Sequence, residues 1–340
     1  MQKGFRDPKL IIGLLISAVF LYLSFRKVDF ARMGAAFAKA NYWYAIPGIA
    51  LMFFSHWLRA LRWRYFLAPV QKLDLKTLYS SLLIGYMANT FLPAHLGEFL
   101  RAYLVGKKRP VSGSAVFGTI VIERIIDVFT LLLLMALTII VFPFPEWVQK
   151  SGYISFAVIL GLFSVLLVMK KHRDTSMNIL TKILKPLPHK IRAKIIDLMH
   201  SFLDGVVPLK NWKHYIIVTV LSFAIWACYA YIFQIGLYAF GFIAEYDLPW
   251  MTAIVLLVIT TIAVVVPSSP GYVGTYHYLC QISLAFFAVP KSEGLTYAFV
   301  IHGLNFLPIL IVGLVLVGLE GMNIRKIQHE AEEAESVAEF

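Results

Sequence analysis

Charge is scarce in this sequence. Only 15% of its 340 residues are Asp, Glu, Lys or Arg while 59% are hydrophobic, more apolar surface than a soluble domain can hide. Between the apolar runs no polar stretch is long enough for a globular catalytic domain, so any chemistry takes place at or in a bilayer. Cysteine is nearly absent. Cys228 and Cys280 both lie in apolar sequence and read as small packing residues, not as a disulfide or a metal site. A Walker loop, a metal-ligand cluster and a nucleophile motif are all lacking, so no ATP, metal or other cofactor is implied. Acids are outnumbered, 19 Asp and Glu against 31 Lys and Arg, for a formal net charge of +12. In a soluble protein that excess would suggest nucleic acid. Here the cations collect in loops beside apolar segments, as the positive-inside bias predicts, and anionic lipid headgroups are the expected counter-charge.

What is present is a series of apolar runs approaching the roughly 20 residues that cross a hydrocarbon core of about 30 Å. Lys3, Arg6 and Lys9 hold the N-terminus in the cytoplasm, so 10–25 runs outward. Arg26 and Lys27 follow it in place of a small-residue cleavage site, which makes it a retained helix. The partly amphipathic connection 26–41 then falls outside. Its Arg26, Lys27, Arg32 and Lys39 suit the inside better, and the two readings stay open at this point. A second span, 42–63, carries Trp57 and Trp63, suited to an interface belt. The basic loops 64–77 and 107–109 both belong in the cytoplasm, so 78–105 must enter and leave on one side. Its arms, 78–92 and 97–105, reach about 22 and 14 Å at 1.5 Å per residue; neither spans alone. Irregular backbone at depth needs protein or a wet cavity around it, so the break from Pro93 to Gly97 should face a cavity.

Further on, 117–142 crosses outward, 154–169 returns and the basic segment 170–213 is cytoplasmic. Within it Ile191, Ile195, Leu198, Met199, Phe202 and Val206 recur at helical spacing, giving either an interfacial helix on anionic lipid or one packed on the ends of the bundle. Segment 215–240 leads out to a loop with Glu245 and Asp247. Two arms, 250–266 and 272–289, flank a second break, Pro267-Ser268-Ser269-Pro270-Gly271-Tyr272-Val273-Gly274; they form a hairpin entered from outside or two short spans. Segment 295–319 returns to the cytoplasm ahead of an acidic tail. The expected fold is an all-α polytopic membrane protein with six full spans plus two oppositely oriented re-entrant helical hairpins, eight or more membrane helices in all. Its two units, 1–142 and 143–319 (with the cytoplasmic loop 170–213), form an inverted repeat. A cytoplasmic tail, 320–340, follows. Transporters of that architecture hold substrate at the repeat interface near the midplane.

Ionisable groups at membrane depth cost about 2.5–3.5 kcal/mol on insertion scales and are functional candidates. Five should lie at similar depth: Glu98 and Arg101 on one hairpin arm, and Glu123, Arg124 and Asp127 on the next helix. In one reading Arg101 and Arg124, with Arg59 and Arg62, hold a lipid phosphate, and the acids hold a cationic headgroup or carry a driving proton. In the other these groups only pair, Glu98 or Glu123 with Arg101 and Asp127 with Arg124. At the second break Ser269 is an expected N-cap and Pro270 a first-turn residue, with Gly271 and Gly274 allowing close backbone approach and free N–H groups attracting an anion. His277, His302 and Asn305 are polar groups that could line the same cavity or bridge helices.

The motifs Pro93-Ala-His-Leu-Gly97-Glu98-Phe-Leu-Arg101, Glu123-Arg124-Ile-Ile-Asp127 and Pro270-Gly271-Tyr-Val-Gly274 resemble, in that order, the membrane domain of lysylphosphatidylglycerol synthases, a flippase-like membrane family. The resemblance covers nearly the whole chain. It implies a prokaryotic cell-membrane protein with both termini cytoplasmic that moves or handles a lipid with a charged or glycosylated headgroup, the translocating part without the soluble aminoacyl transferase domain. Family members often carry Pro-Gly-Gly-Ile-Gly followed by an acid; this chain has Tyr272 and, at the acid's expected place, His277, so lysyl lipid does not follow. The leading expectation is a non-enzymatic flippase or transporter for a phospholipid or glycolipid. Its rivals are a noncatalytic partner presenting lipid to a glycosyl- or aminoacyltransferase, and a membrane-embedded transferase using Glu98, Glu123 or Asp127 as base. Self-association into a homo-oligomer is left open.

Overall fold

Long apolar runs without internal breakers become helices, and the breaks fall where Asp, Pro and Gly interrupt them. The computed structural model describes residues 8–90, 96–108, 111–142, 146–205, 209, 211–265 and 268–321. Among them every regular element is helical. Six helices have 18 to 29 residues: α1 (Pro8–Phe25), α3 (Ala45–Leu67), α6 (Gly113–Val141), α7 (Glu146–Lys171), α10 (Trp212–Ala239) and α14 (Lys291–Leu319). At 1.5 Å per residue these reach about 27 to 44 Å. Two pairs are much shorter, α4 (Leu75–Asn89) with α5 (Leu96–Lys108) and α12 (Thr252–Val265) with α13 (Thr275–Ala285), about 16 to 23 Å each. The remaining α-helices are α2 (Phe30–Lys39), α8 (Arg173–Ile183), α9 (His189–Gly205) and the single turn α11 (Phe242–Glu245). Asp29 caps α2 through the N–H groups of Ala31 and Arg32, and Asp74 caps α4 through that of Thr77, as short polar side chains do at helix starts.

The chain divides into two compact units. One comprises residues 1–55, 133–143 and 225–311. In it α13 runs alongside α1 in the same direction: the Ser269 N–H donates to Ser17 Oγ at 2.7 Å, the rings of Tyr278 and Phe20 lie 5.4 Å apart, and Gln281 Nε2 donates to the carbonyls of Ser24 and Lys291. The turn between α12 and α13 therefore abuts the middle of α1. Gly274 permits this approach, since its φ is +95° and a Cβ there would lie 2.5 Å from the Ser17 carbonyl oxygen. The far end of the unit holds α2. Its Asp29 N–H donates to Ser292 Oγ, Arg32 and Lys39 pair with Glu293 and Glu245 at 2.6 Å each, and the Asn41 N–H reaches the Ala239 carbonyl. The connection 26–41 thus shares an end with the Glu245 loop, and two of the cations that suited the inside are neutralised by acids from distant sequence.

The other unit comprises residues 56–132, 144–224 and 312–340. Here α4 and α5 lie antiparallel, tied near their turn by the Gly97 N–H to Asn89 Oδ1 bond of 2.8 Å and at their open end by Glu320, which accepts from Ser80 Oγ and pairs with Lys108. Phe99 of α5 stacks on Phe117 of α6 at 4.5 Å, and Phe117 meets Phe202 of α9. With Leu203 fully buried, Lys170 bonded to its carbonyl and Arg173 paired with Asp204, α9 packs on its neighbouring helices. Of the two readings of that segment, packing on the bundle is the one these contacts support.

Candidate functional site

Three helices of the second-described unit bring charge together. Arg59, Arg62 and Trp63 occupy α3 at spacings of three and four, one face of a helix; Glu98 and Arg101 do the same on α5, and Glu123, Arg124 and Asp127 on α6. Glu123 is fully buried and takes Arg101 bidentately, Oε1 at 3.2 Å and Oε2 at 2.9 Å. Asp127 receives Arg59 on one oxygen and Arg62 on the other, each at 2.7 Å. Arg59 also lies 3.4 Å from Glu123, and Arg62 donates to Ser222 Oγ on α10. Paired, forked contacts of this kind are the geometry guanidinium groups favour with carboxylates.

Arg101 is held from behind by an aromatic face. Its guanidinium carbon stands 3.6 Å over the centroid of Trp63, whose Nε1 donates to Thr119 Oγ1. The placement corrects the reading of Trp63 as an interface residue: it is 0% exposed, whereas Trp57 is 40% exposed. A membrane-interface belt and a buried cation–π floor draw on the same residue type beside the same arginines. His56 meets Tyr86 edge-on at 5.0 Å.

Arg124 differs from the other three arginines. Its side chain is 34% exposed, its Nε lies 2.9 Å from Glu98 off the hydrogen-bonding line, and its terminal nitrogens approach Tyr86 Oη at 3.3 Å, Glu123 at 3.5 Å and Asp127 at 3.6 Å. The pairing expected from sequence is thus partly exchanged. Glu123 does hold Arg101, but Asp127 holds Arg59 and Arg62, and Glu98 holds Arg124. Four arginines face three carboxylates, leaving one positive charge in excess. The Nε donors of Arg62 and Arg101 are buried without an acceptor, and buried donors normally find partners. Such a cluster can take an anion at its one open arginine. Tyr86, Thr119 and Ser222 carried no signal in the sequence, because common residue types in apolar helices announce a contact only once helix rotation is known.

The second group of predicted residues lies in the other unit, where most of its polar groups bond within the protein, but the buried Nε2 of His277 has no partner. Ser269 is not an N-cap by its side chain, since Ser269 Oγ donates to the Val273 carbonyl. Helix α13 begins five residues past Pro270, at Thr275, and the Gly274 N–H is taken by His277 Nδ1 at 3.3 Å. Gly271, at φ +73°, presents its carbonyl to His302 Nε2 at 2.9 Å, and the two imidazoles meet edge to face at 4.8 Å. Asn305 donates to the Ile301 carbonyl of its own helix. The backbone N–H groups of Ser269 and Gly274, expected free for an anion, are engaged by Ser17 Oγ and His277 Nδ1. Gly97 lies in the first turn of α5; Pro93 and Pro267 fall outside the described residues.

The family model for the lysylphosphatidylglycerol synthase transmembrane region matches residues 10–313. The chain is similar to a UPF0104 membrane protein of Methanothermobacter thermautotrophicus, 22% identical over 304 residues, covering 85% of this chain and 89% of the relative. It is similar also to one from Methanocaldococcus jannaschii, 21% identical over 298 residues, 84% and 87% of the two chains. No solved structure matches. With its helical fold and its arginine-rich cluster, the chain is a membrane protein that belongs to the lysylphosphatidylglycerol synthase transmembrane-region family.

Proposed function

We propose that this protein translocates a membrane lipid by its phosphate, without covalent chemistry, and that Arg124 is the phosphate's first contact. The observation that carries the reading is the net positive charge of the cluster, four arginines against three carboxylates, with Arg124 its partly exposed member. Arg59, Arg62 and Arg101 are held by two buried carboxylates, Glu123 and Asp127, and set a positive field. Arg124 is tied to Glu98 alone at close range, and an incoming phosphate competes with that carboxylate for the same guanidinium. Glu98 belongs to α5, so its release loosens one arm of the α4–α5 pair from α6. In this reading the short pairs α4–α5 and α12–α13 are oppositely oriented re-entrant hairpins among six full spans, each arm being shorter than a hydrocarbon core of about 30 Å. Both termini lie in the cytoplasm of a prokaryotic cell, and a lipid-modifying transferase is the partner that supplies or receives the lipid.

Occupancy by a phosphate-bearing lipid tests the assignment, measured by native mass spectrometry of the protein exchanged into micelles with added phosphatidylglycerol. Arg124→Gln is expected to lower affinity about tenfold to a hundredfold, the worth of a charge-assisted hydrogen bond of roughly 1.5–3 kcal/mol. Glu98→Gln, which removes the competitor, is expected to raise it. Equal loss in both variants would mean that the pair only holds the hairpin together.

A further inference from the structure

Away from the arginine cluster, the α2 end of its unit encloses a cavity of about 200 Å³ lined by Arg32, Ala35, Ala36, Lys39, Phe240, Phe242, Glu245 and Glu293. We propose that it binds a small zwitterion, a primary ammonium and a phosphate or carboxylate joined by a short spacer. The inference does not rest on lipid translocation. Residues 32, 35, 36 and 39 are the i, i+3, i+4, i+7 stripe of α2, one continuous helix face. Two alanines between two cations leave the hollow, and Phe240 and Phe242 floor it. Each end is closed by one ion pair, Arg32 with Glu293 and Lys39 with Glu245, so both signs of charge stand at the rim of an apolar slot. The volume fits a group on the order of six to eight heavy atoms, taking about 30 Å³ for each water-sized unit.

The rim can exchange its partners. Arg32 hydrogen-bonds Glu293 through Nε and also meets Tyr246, and its half-exposed guanidinium has further donors with which to receive an acid. Glu293 is satisfied on both oxygens, by Arg32 and by Tyr246 Oη at 2.5 Å. Glu245 is more open: Lys39 takes Oε2, and Oε1 has only the 3.4 Å contact with Tyr246, so it is the carboxylate for an ammonium. The Lys39–Glu245 pair is exposed on both sides and contributes little to stability, so a ligand ammonium that takes the place of Lys39 gives up little. The hydrogen bond from Lys39 lowers the Glu245 pKa, and Glu245 raises that of Lys39. The Lys39–Glu245 pair is therefore charged across the neutral range, and is lost as pH falls through the depressed Glu245 value or rises through the elevated Lys39 value.

The test uses the full chain in detergent micelles with O-phosphoethanolamine, followed by titration calorimetry and by the rise in unfolding temperature. Binding at least about tenfold tighter than inorganic phosphate or ethanolamine alone is expected. Ala36→Leu, which fills the slot, and Arg32→Gln, which leaves its shape, should each abolish that preference. Inorganic phosphate binding as well as the zwitterion, or both variants binding like the parent, would overturn the proposal. Nanodiscs identify the source of the ligand. A site already saturated in phosphatidylethanolamine discs but open in phosphatidylglycerol discs takes a lipid headgroup; one open in both takes a free zwitterion.

Discussion

Glu123→Gln is expected to destabilise the protein by about 3–5 kcal/mol, the usual cost of removing one member of a buried charge network. The carboxylate holds Arg101 with both oxygens and faces Arg59 and Arg62 at 3.4 and 4.0 Å. Without it buried Arg101 loses its carboxylate, and Arg59 and Arg62 keep Asp127 alone. A combined Glu123→Gln and Arg101→Met change should recover much of the loss, because replacing a buried pair by packed apolar atoms is often neutral or better. Glu98→Gln should cost under about 1 kcal/mol, since its partner Arg124 is 34% exposed and the pair is screened by solvent. Scanning fluorimetry of the purified variants separates the three. A Glu123→Gln protein as stable as the parent would mean that the cluster is not a cooperative network.

The second large effect is steric. At Gly97 an added Cβ would collide with the Gly85 carbonyl oxygen and stand 2.5 Å from Asn89 Oδ1. Gly97→Val must therefore part α4 from α5 and break the Gly97 to Asn89 hydrogen bond of 2.8 Å. Overpacking of this kind costs about 1–3 kcal/mol or more, and the lost hydrogen bond about 1 kcal/mol in addition. The expected result is aggregated protein on extraction, read as a lost monodisperse peak in size-exclusion chromatography. Gly113→Ala is the control, since nothing lies within 4 Å of its Cβ position. A monodisperse Gly97→Val protein would show that the two arms are not pressed together at this glycine.

Much of this was legible in the sequence, for identifiable reasons. The two short arms 78–92 and 97–105 followed from basic loops on both sides and from length alone, and α4 and α5 agree to within a few residues. Glu98, Arg101, Glu123, Arg124 and Asp127 stood out because charge in apolar sequence is rare. Their partners did not stand out. Arg59 and Arg62 reach Asp127 across 68 and 65 residues, and which arginine takes which acid depends on helix rotations that no local pattern encodes. Trp63 was misread because proximity to arginines near a helix end fits a membrane interface and a cation–π floor equally well. Ser269 was misread because Pro270 opens only a short turn, and the helix waits for Gly274 and the His277 cap. The cations of 26–41 looked misplaced until Glu245 and Glu293, more than 200 residues away, were seen to neutralise two of them.

The proposed passage of a lipid phosphate across the bilayer is tested by dithionite quenching of fluorescently tail-labelled phosphatidylglycerol in proteoliposomes, run beside protein-free vesicles and a phosphate-free glycolipid probe. Label in the inner leaflet is expected to become accessible only with protein present, faster for the phosphate-bearing probe, and more slowly with Arg124→Gln at equal incorporation. Quenching that stops at the outer leaflet for every probe, as in protein-free vesicles, would contradict it.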